Sequence, residues 1–135
     1  MPVALEIVSP EKLLLSQNVD MVVIPASEGE MGVLPGHAPM IVMLRGGAIA
    51  LYEGNKVTER LYVAGGFAEV TPERCTVLAD EAMPTAEVSK AEGERRLAAA
   101  EAEYAATDKM DVAALDAAMD RAQAARAMIE VAGAP

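Results

Sequence analysis

The chain has 135 residues and a formal net charge of −10, with 21 acidic side chains against 11 Lys and Arg. Binding along a phosphate backbone needs clustered cations, so this balance excludes nucleic acid as a partner. The single cysteine, Cys75, leaves no internal disulfide and no thiolate metal set; no stretch approaches a membrane span, and the amino end lacks the basic start and long apolar run of a secretion signal.

This length suits one ordinary domain or two small units. Trp is absent and Phe67 is the sole phenylalanine, so the core must be built from Val, Leu, Ile and Met. From the amino end, short apolar runs alternate with turn residues. Val3, Leu5 and Ile7 share one face of a first strand, and Lys12–Ser16 follows the Ser9-Pro10 break. Val19–Pro25 is nearly continuous Val, Met and Ile, as in a strand covered on both faces. Pro39–Leu44 has the same character. Gly46-Gly47 permits a bend before Ala48–Tyr52, and Glu53-Gly54-Asn55 reads as a hairpin turn into Lys56–Val63. Phe67–Thr71 and Cys75–Ala79 close the series on either side of the Pro72-Glu73-Arg74 turn. Eight or nine short strands with frequent turns describe a β-sandwich or flattened barrel rather than alternating β and α units.

Within this series, Gly29–Pro39 (GEMGVLPGHAP) carries three glycines and two prolines in eleven residues and reads as a loop. Met31, Val33 and Leu34 are nonetheless apolar. Either the loop folds back on the body or it offers a surface to a partner. On the second reading Met31, Val33, Leu34 and Met40 form the apolar centre of an interface, with Glu28, Glu30 and Arg45 as its polar rim.

Composition changes at Pro84. Residues 1–84 hold seven of the eight prolines and eight of the ten glycines, whereas residues 85–135 hold 18 alanines, so a helical part follows the β part. The predicted units are therefore a β-sandwich over 1–84 and a helical hairpin over 85–135. Thr85 or Ser89 caps a first helix over Glu87–Ala105, with Ser89 and Glu92 at capping-box spacing. Asp108 or Asp111 caps a second over Val112–Val131. Leu115, Ala118, Ala122, Ala125 and Ile129 recur at helical steps and mark one face, widened by Met119 and Met128. The short break makes the pair an antiparallel hairpin. Its alanine seam buries little apolar area, which makes the hairpin a candidate moving element.

No constellation for chemistry emerges. His37, the sole histidine, sits in the glycine-rich loop without an orienting partner or nucleophile and reads as a structural or interface residue rather than a base or metal ligand. Cys75 begins a strand and reads as a buried small hydrophobe. Gly65-Gly66 lacks the following Lys-Ser/Thr and helix of a phosphate loop. Catalytic, cofactor and metal sites are therefore all expected to be absent. A small acidic domain of this kind reads as a partner-binding subunit, with a free-standing β-domain adaptor or small-ligand-binding module as the alternative.

The segments LEIVSPEKLL, VVIPASEGEMGVLPGHAPMIVMLRGG and LYVAGGFAEVTPERCTVLADEA, in this order and spacing, resemble the epsilon subunits of bacterial F-type ATP synthases, counterparts of the mitochondrial delta subunit. The alanine-rich tail matches that family's helical hairpin in position and length. The resemblance implies a mainly β fold with an amino-terminal β-sandwich and a carboxy-terminal antiparallel two-helix hairpin. It implies a non-catalytic rotor subunit at the cytoplasmic face of the bacterial inner membrane, held by the gamma subunit and the c-ring, with the alpha and beta subunits as further partners of the hairpin. Glu30 and His37 match the loop near the c-ring, and Met31, Val33 and Leu34 that loop or the gamma contact. In some relatives the helices restrain ATP hydrolysis, which puts Arg121 and Arg126 on a possible regulatory helix. ATP-binding relatives carry Ile/Leu-Asp-x-x-Arg-Ala. Here the matching stretch is Ala86-Glu87-Val88-Ser89-Lys90-Ala91, with Glu for Asp and Lys for Arg, so no bound ATP is expected.

Overall fold

The computed structural model describes residues 2–133; residues 1, 134 and 135, which the predicted spans 1–84 and 85–135 include, lie outside the described residues. Ten strands come first: β1 (Val3–Val8), β2 (Leu13–Val19), β3 (Met21–Ala26), β4 (Gly29–Val33), β5 (Met40–Leu44), β6 (Gly47–Glu53), β7 (Lys56–Val63), β8 (Gly66–Val70), β9 (Arg74–Ala79) and β10 (Ala82–Pro84). A 3₁₀ turn at Thr85–Glu87 leads to α1 (Lys90–Ala106) and α2 (Val112–Gly133). This is the predicted β-sandwich, curled nearly into a barrel, followed by the two-helix hairpin.

Hydrogen bonding orders the strands β10-β7-β6-β3-β5-β8-β9-β1-β2, with β4 paired to β3 alone. All pairings are antiparallel except β1 with β9. β3 and β5 meet only at Ala26 and Leu44, so the sheet folds over at that joint. Alternation then sends every second side chain inward. Val3, Leu5 and Ile7 of β1 meet Val22 and Ile24 of β3, Ile49 and Leu51 of β6, and Val77 of β9 in one core.

Four details differ from the sequence reading. The stretch Gly29–Pro39 is a loop only in its second half. Its first half is β4, a strand hairpin with β3 in which Glu30 faces Pro25 and Val33 faces Val22. Its two glycines hide the alternation of Met31 and Val33. Second, β2 runs on to Val19 and β3 starts at Met21, because Asp20 makes the corner: its amide donates to Tyr52 O at 3.0 Å and its carboxylate accepts from Gly54 N at 2.7 Å. Third, a short final strand, β10, pairs with β7. Three residues carry too little pattern to be seen in sequence. Fourth, the two methionines expected to widen the buried face of α2 part company, for Met128 is 1% exposed and Met119 55%.

The helix caps follow the predicted chemistry. Ser89 Oγ accepts from Glu92 N at 3.1 Å, making Ser89 rather than Thr85 the cap of α1. Asp111 Oδ1 accepts from Ala114 N at 3.1 Å at the start of α2. Ala118, Ala122 and Ala125 are buried, as their spacing predicts.

Candidate functional site

Alternation along β4 decides where the predicted interface residues point. Glu30 and Leu34 are exposed, Met31 is half-buried against the core, and Val33 is completely buried. Val33 therefore offers no surface to a partner, contrary to the reading that grouped it with Leu34. A strand rises about 3.4 Å per residue, so Glu30 and His37 lie at opposite ends of β4 rather than in one cluster. Past Val33 the chain turns tightly: His37 N donates to Leu34 O at 3.2 Å, and Gly36 N donates to Pro72 O at 2.8 Å, tying the turn to the β8–β9 connection. The His37 ring lies 2.9 Å from Ala38 O through Nδ1. A carbonyl only accepts, so in this contact Nδ1 is the donor. Met40, at the start of β5, is exposed.

Sequence reasoning missed a larger feature on the outer face of β5, β8, β9, β1 and β2. The register places Met43 beside Phe67, Phe67 beside Leu78, Leu78 beside Val8, and Val8 beside Leu13. Five apolar side chains thus form one row across five strands, with Ile41 two positions from Met43. Ile41 is 68% exposed, Met43 62% and Leu13 54%. The signal was present in the run MIVML, which is apolar at both inward and outward positions rather than alternating. Nearby, Arg74 and Glu6 pair at 3.2 Å.

The hairpin covers the opposite side, over β6 and β7. Tyr62 points away from the β core into a small cluster with Ala127 and Met128. Its hydroxyl donates to Ala124 O at 2.7 Å. Burial, and then the charge of Glu81, push the Tyr62 phenol up to about 12. Gln123 accepts from Gly46 N at 2.8 Å and donates to Gly46 O at 2.7 Å. Arg96 of α1 reaches Glu81 of the β9–β10 turn at 2.5 and 3.1 Å and Glu92 at 2.8 Å; these two hydrogen-bonded carboxylates raise its pKa further above the ordinary guanidinium value. The Glu92–Arg96 pair within α1 is therefore one arm of a bridge to the β body. Hydrogen bonds from Arg96 and Arg95 hold the exposed Glu92 carboxyl below its usual range.

Two clefts of about 610 Å³ flank this seam. One, lined by Tyr62, Arg96, Glu103 and Arg121, lies between the helices and the body. Arg121 is held there in an ion pair with Glu103. Arg126 lines the other cleft with Glu30, Arg45 and Glu130. The stretch matched to the ATP-binding pattern spans the 3₁₀ turn, the helix cap and the first residues of α1, where Lys90 is exposed. Cys75 is buried, which pushes its thiol up to about 11, far from a reactive thiolate. Among the described residues no group of three His, Cys, Asp or Glu is placed to hold a metal.

Residues 2–85 match the family model described as ATP synthase, Delta/Epsilon chain, beta-sandwich domain. An ATP synthase epsilon chain of Granulibacter bethesdensis is 72% identical over 129 residues, covering 96% of each chain. That of Gluconacetobacter diazotrophicus is 50% identical over 135 residues, covering 100% of this chain and 96% of the relative. Among solved structures, the Euglena gracilis mitochondrial ATP synthase, OSCP/F1/c-ring, contains a chain that superposes with a TM-score of 0.74 at 25% identity, over 94% of this chain and 79% of that one. A chain of the Tetrahymena thermophila mitochondrial ATP synthase central stalk/c-ring shares the fold, with a TM-score of 0.71 at 15% identity, over 98% of this chain and 97% of that one.

Proposed function

Because the chain belongs to the ATP synthase delta/epsilon family, we infer that its work is mechanical: it is a non-catalytic central-stalk subunit of an F-type ATP synthase. The finer reading concerns what it grips. A gamma subunit lies against the outer face of β5, β8, β9, β1 and β2, and the c-ring meets the turn after β4 that carries Leu34, His37 and Met40. Proton passage turns the c-ring, and this subunit joins that rotation to gamma without making or breaking a bond.

The observation that supports this best is the row Met43–Phe67–Leu78–Val8–Leu13. An exposed contiguous apolar surface marks a contact site. A joint under torque needs a broad contact, in which apolar burial supplies affinity and polar groups fix register. The Glu6–Arg74 pair, with Glu6 two positions from Val8 along β1, borders the row and provides such polar groups. No helix among the described residues is long and apolar enough to cross a membrane, in keeping with a peripheral position on the cytoplasmic face of the inner membrane. The hairpin is the element free to meet the alpha and beta subunits.

A pull-down with purified gamma tests the assignment. Met43→Glu with Phe67→Glu places two carboxylates at the β5–β8 end of the row, where burying an unpaired charge is costly. Both side chains already face solvent, so circular dichroism of the free subunit stays as in the wild type. Capture by gamma is expected to fall by about tenfold or more. Undiminished capture by a folded double variant would remove gamma from this face.

A further inference from the structure

Resting on the reading that gamma lies on the outer face, we propose that it is held there by strand addition: an extended segment of gamma pairs its backbone with an open edge of β5 at Ile41 and Met43. β5 pairs with β8 along its whole length, from Met40 to Leu44, but with β3 only at Leu44 and Ala26. Two hydrogen bonds flank that joint. Arg45 N donates to Pro25 O at 2.9 Å, and Ser27 N donates to Met43 O at 2.8 Å. The backbone groups of successive strand residues point to alternate sides. Ile41 therefore aims its N–H and C=O the same way as Met43, away from β8. At Ser27 and Glu28 the chain turns back into β4, so β3 does not continue alongside β5. Ile41 N–H, Ile41 C=O and Met43 N–H thus have no strand to pair with among the described residues. A cleft of about 360 Å³ lies beside them, lined in part by Ala26, Glu28, Glu30, Ile41 and Met43.

Unpaired N–H and C=O groups along an exposed strand are a template for another extended chain. Here the edge adjoins the apolar row. The side chains of Ile41 and Met43 are both exposed on the outer face, and Met43 is the last member of the row. A partner that covers the row reaches this edge, and a strand laid beside β5 carries the sheet about 4.8 Å further. Its residues opposite Ile41 and Met43 turn to the same face, where apolar side chains extend the row. Glu28 and Glu30 are exposed and in no ion pair among the described residues. The segment that fits is therefore extended, apolar at alternate positions, and carries a Lys or Arg towards the Glu28 end. Apolar burial is non-directional, so by itself it leaves a joint under torque free to slide. A hydrogen-bonded ladder on β5 fixes the position of gamma along the strand.

A pull-down with purified gamma tests this on the full chain by comparing Ile41→Ala with Ile41→Pro. Both lose the isoleucine side chain, but only proline also loses the N–H. Proline is tolerated in a strand where the N–H faces away from the ladder, and circular dichroism checks that both variants are folded. Capture of Ile41→Pro is expected to fall about fivefold or more below that of Ile41→Ala. Amide hydrogen exchange of the wild type supplies a reading that needs no variant. In the free chain Ile41 is expected to exchange faster than Val42, whose amide faces β8, and with gamma bound Ile41 is expected to slow by about tenfold or more. Equal capture of two folded variants, or fast exchange of Ile41 in the complex, would overturn strand addition while leaving gamma on the outer face. Dimers of the free chain that disappear in Ile41→Pro, with capture by gamma unchanged, would give the edge to a second copy and overturn it too. Failure of gamma to bind the wild type would overturn the assignment of gamma itself, and strand addition with it.

Discussion

Tyr62 and Val33 show how much depends on single side chains. The Tyr62 phenol, pushed up to about 12, must stay protonated to donate to Ala124 O. Its folded pKa lies above the ordinary value of 10.0, so its contribution is complete below pH about 10 and is lost as pH rises from there towards about 12. Cys75, pushed up to about 11, weakens the fold over an overlapping range. The informative quantity is therefore the difference between wild type and Tyr62→Phe in denaturant melts. That difference is expected to be about 1 kcal/mol at pH 8 and to shrink towards zero by pH about 12; a constant difference would show that the hydroxyl does not titrate with the fold. Val33 and its neighbour make a second contrast, since Val33 is 0% and Leu34 55% exposed. Val33→Ala is expected to cost about 2 kcal/mol and Leu34→Ala less than about 0.5 kcal/mol, read from the same melts. Both residues are apolar in one glycine-rich stretch. Only the pairing of β4 with β3 tells them apart.

At the scale of elements, the hairpin was legible in outline. Ser89 and Glu92 gave the start of α1, and the three- and four-residue recurrence of alanines gave the buried face of α2. The seating of that hairpin was not legible, because Gln123 is 77 positions from Gly46 and Ala124 is 62 from Tyr62, with no local pattern linking them. Gly93 illustrates the same gap. In sequence it is a weak point in a helix, costing about 1 kcal/mol relative to alanine. In the structure it is where α1 crosses α2: a Cβ there would lie 2.9 Å from Ile129 Cγ1 and 3.2 Å from Ile129 N. Gly93→Ala is expected to lower the melting temperature despite the better helix propensity, because the helix backbones must part. A raised melting temperature would mean that the crossing has slack.

For the whole molecule, the layers are the hairpin, the β6–β7 side, the strand-built core, and the outer face with its apolar row. Since the main core draws on strands alone, we propose that the body over 1–84 folds without the hairpin. Truncation after Pro84 is expected to leave a cooperative β unfolding transition and undiminished capture by gamma. Loss of the transition would show that the two parts form one folding unit. The sequence by itself determined the order of strands before helices, most of the turns and the candidate caps, because these rest on interactions between residues near one another along the chain. Only the tertiary structure decided that Val33 is inside and Leu34 outside, that Met43, Phe67, Leu78, Val8 and Leu13 stand in one row, and that Gln123 meets Gly46. The reason is register: contacts between strands and helices distant in sequence are fixed by how all the elements pack at once, and a shift of one residue would turn each of these side chains to another face.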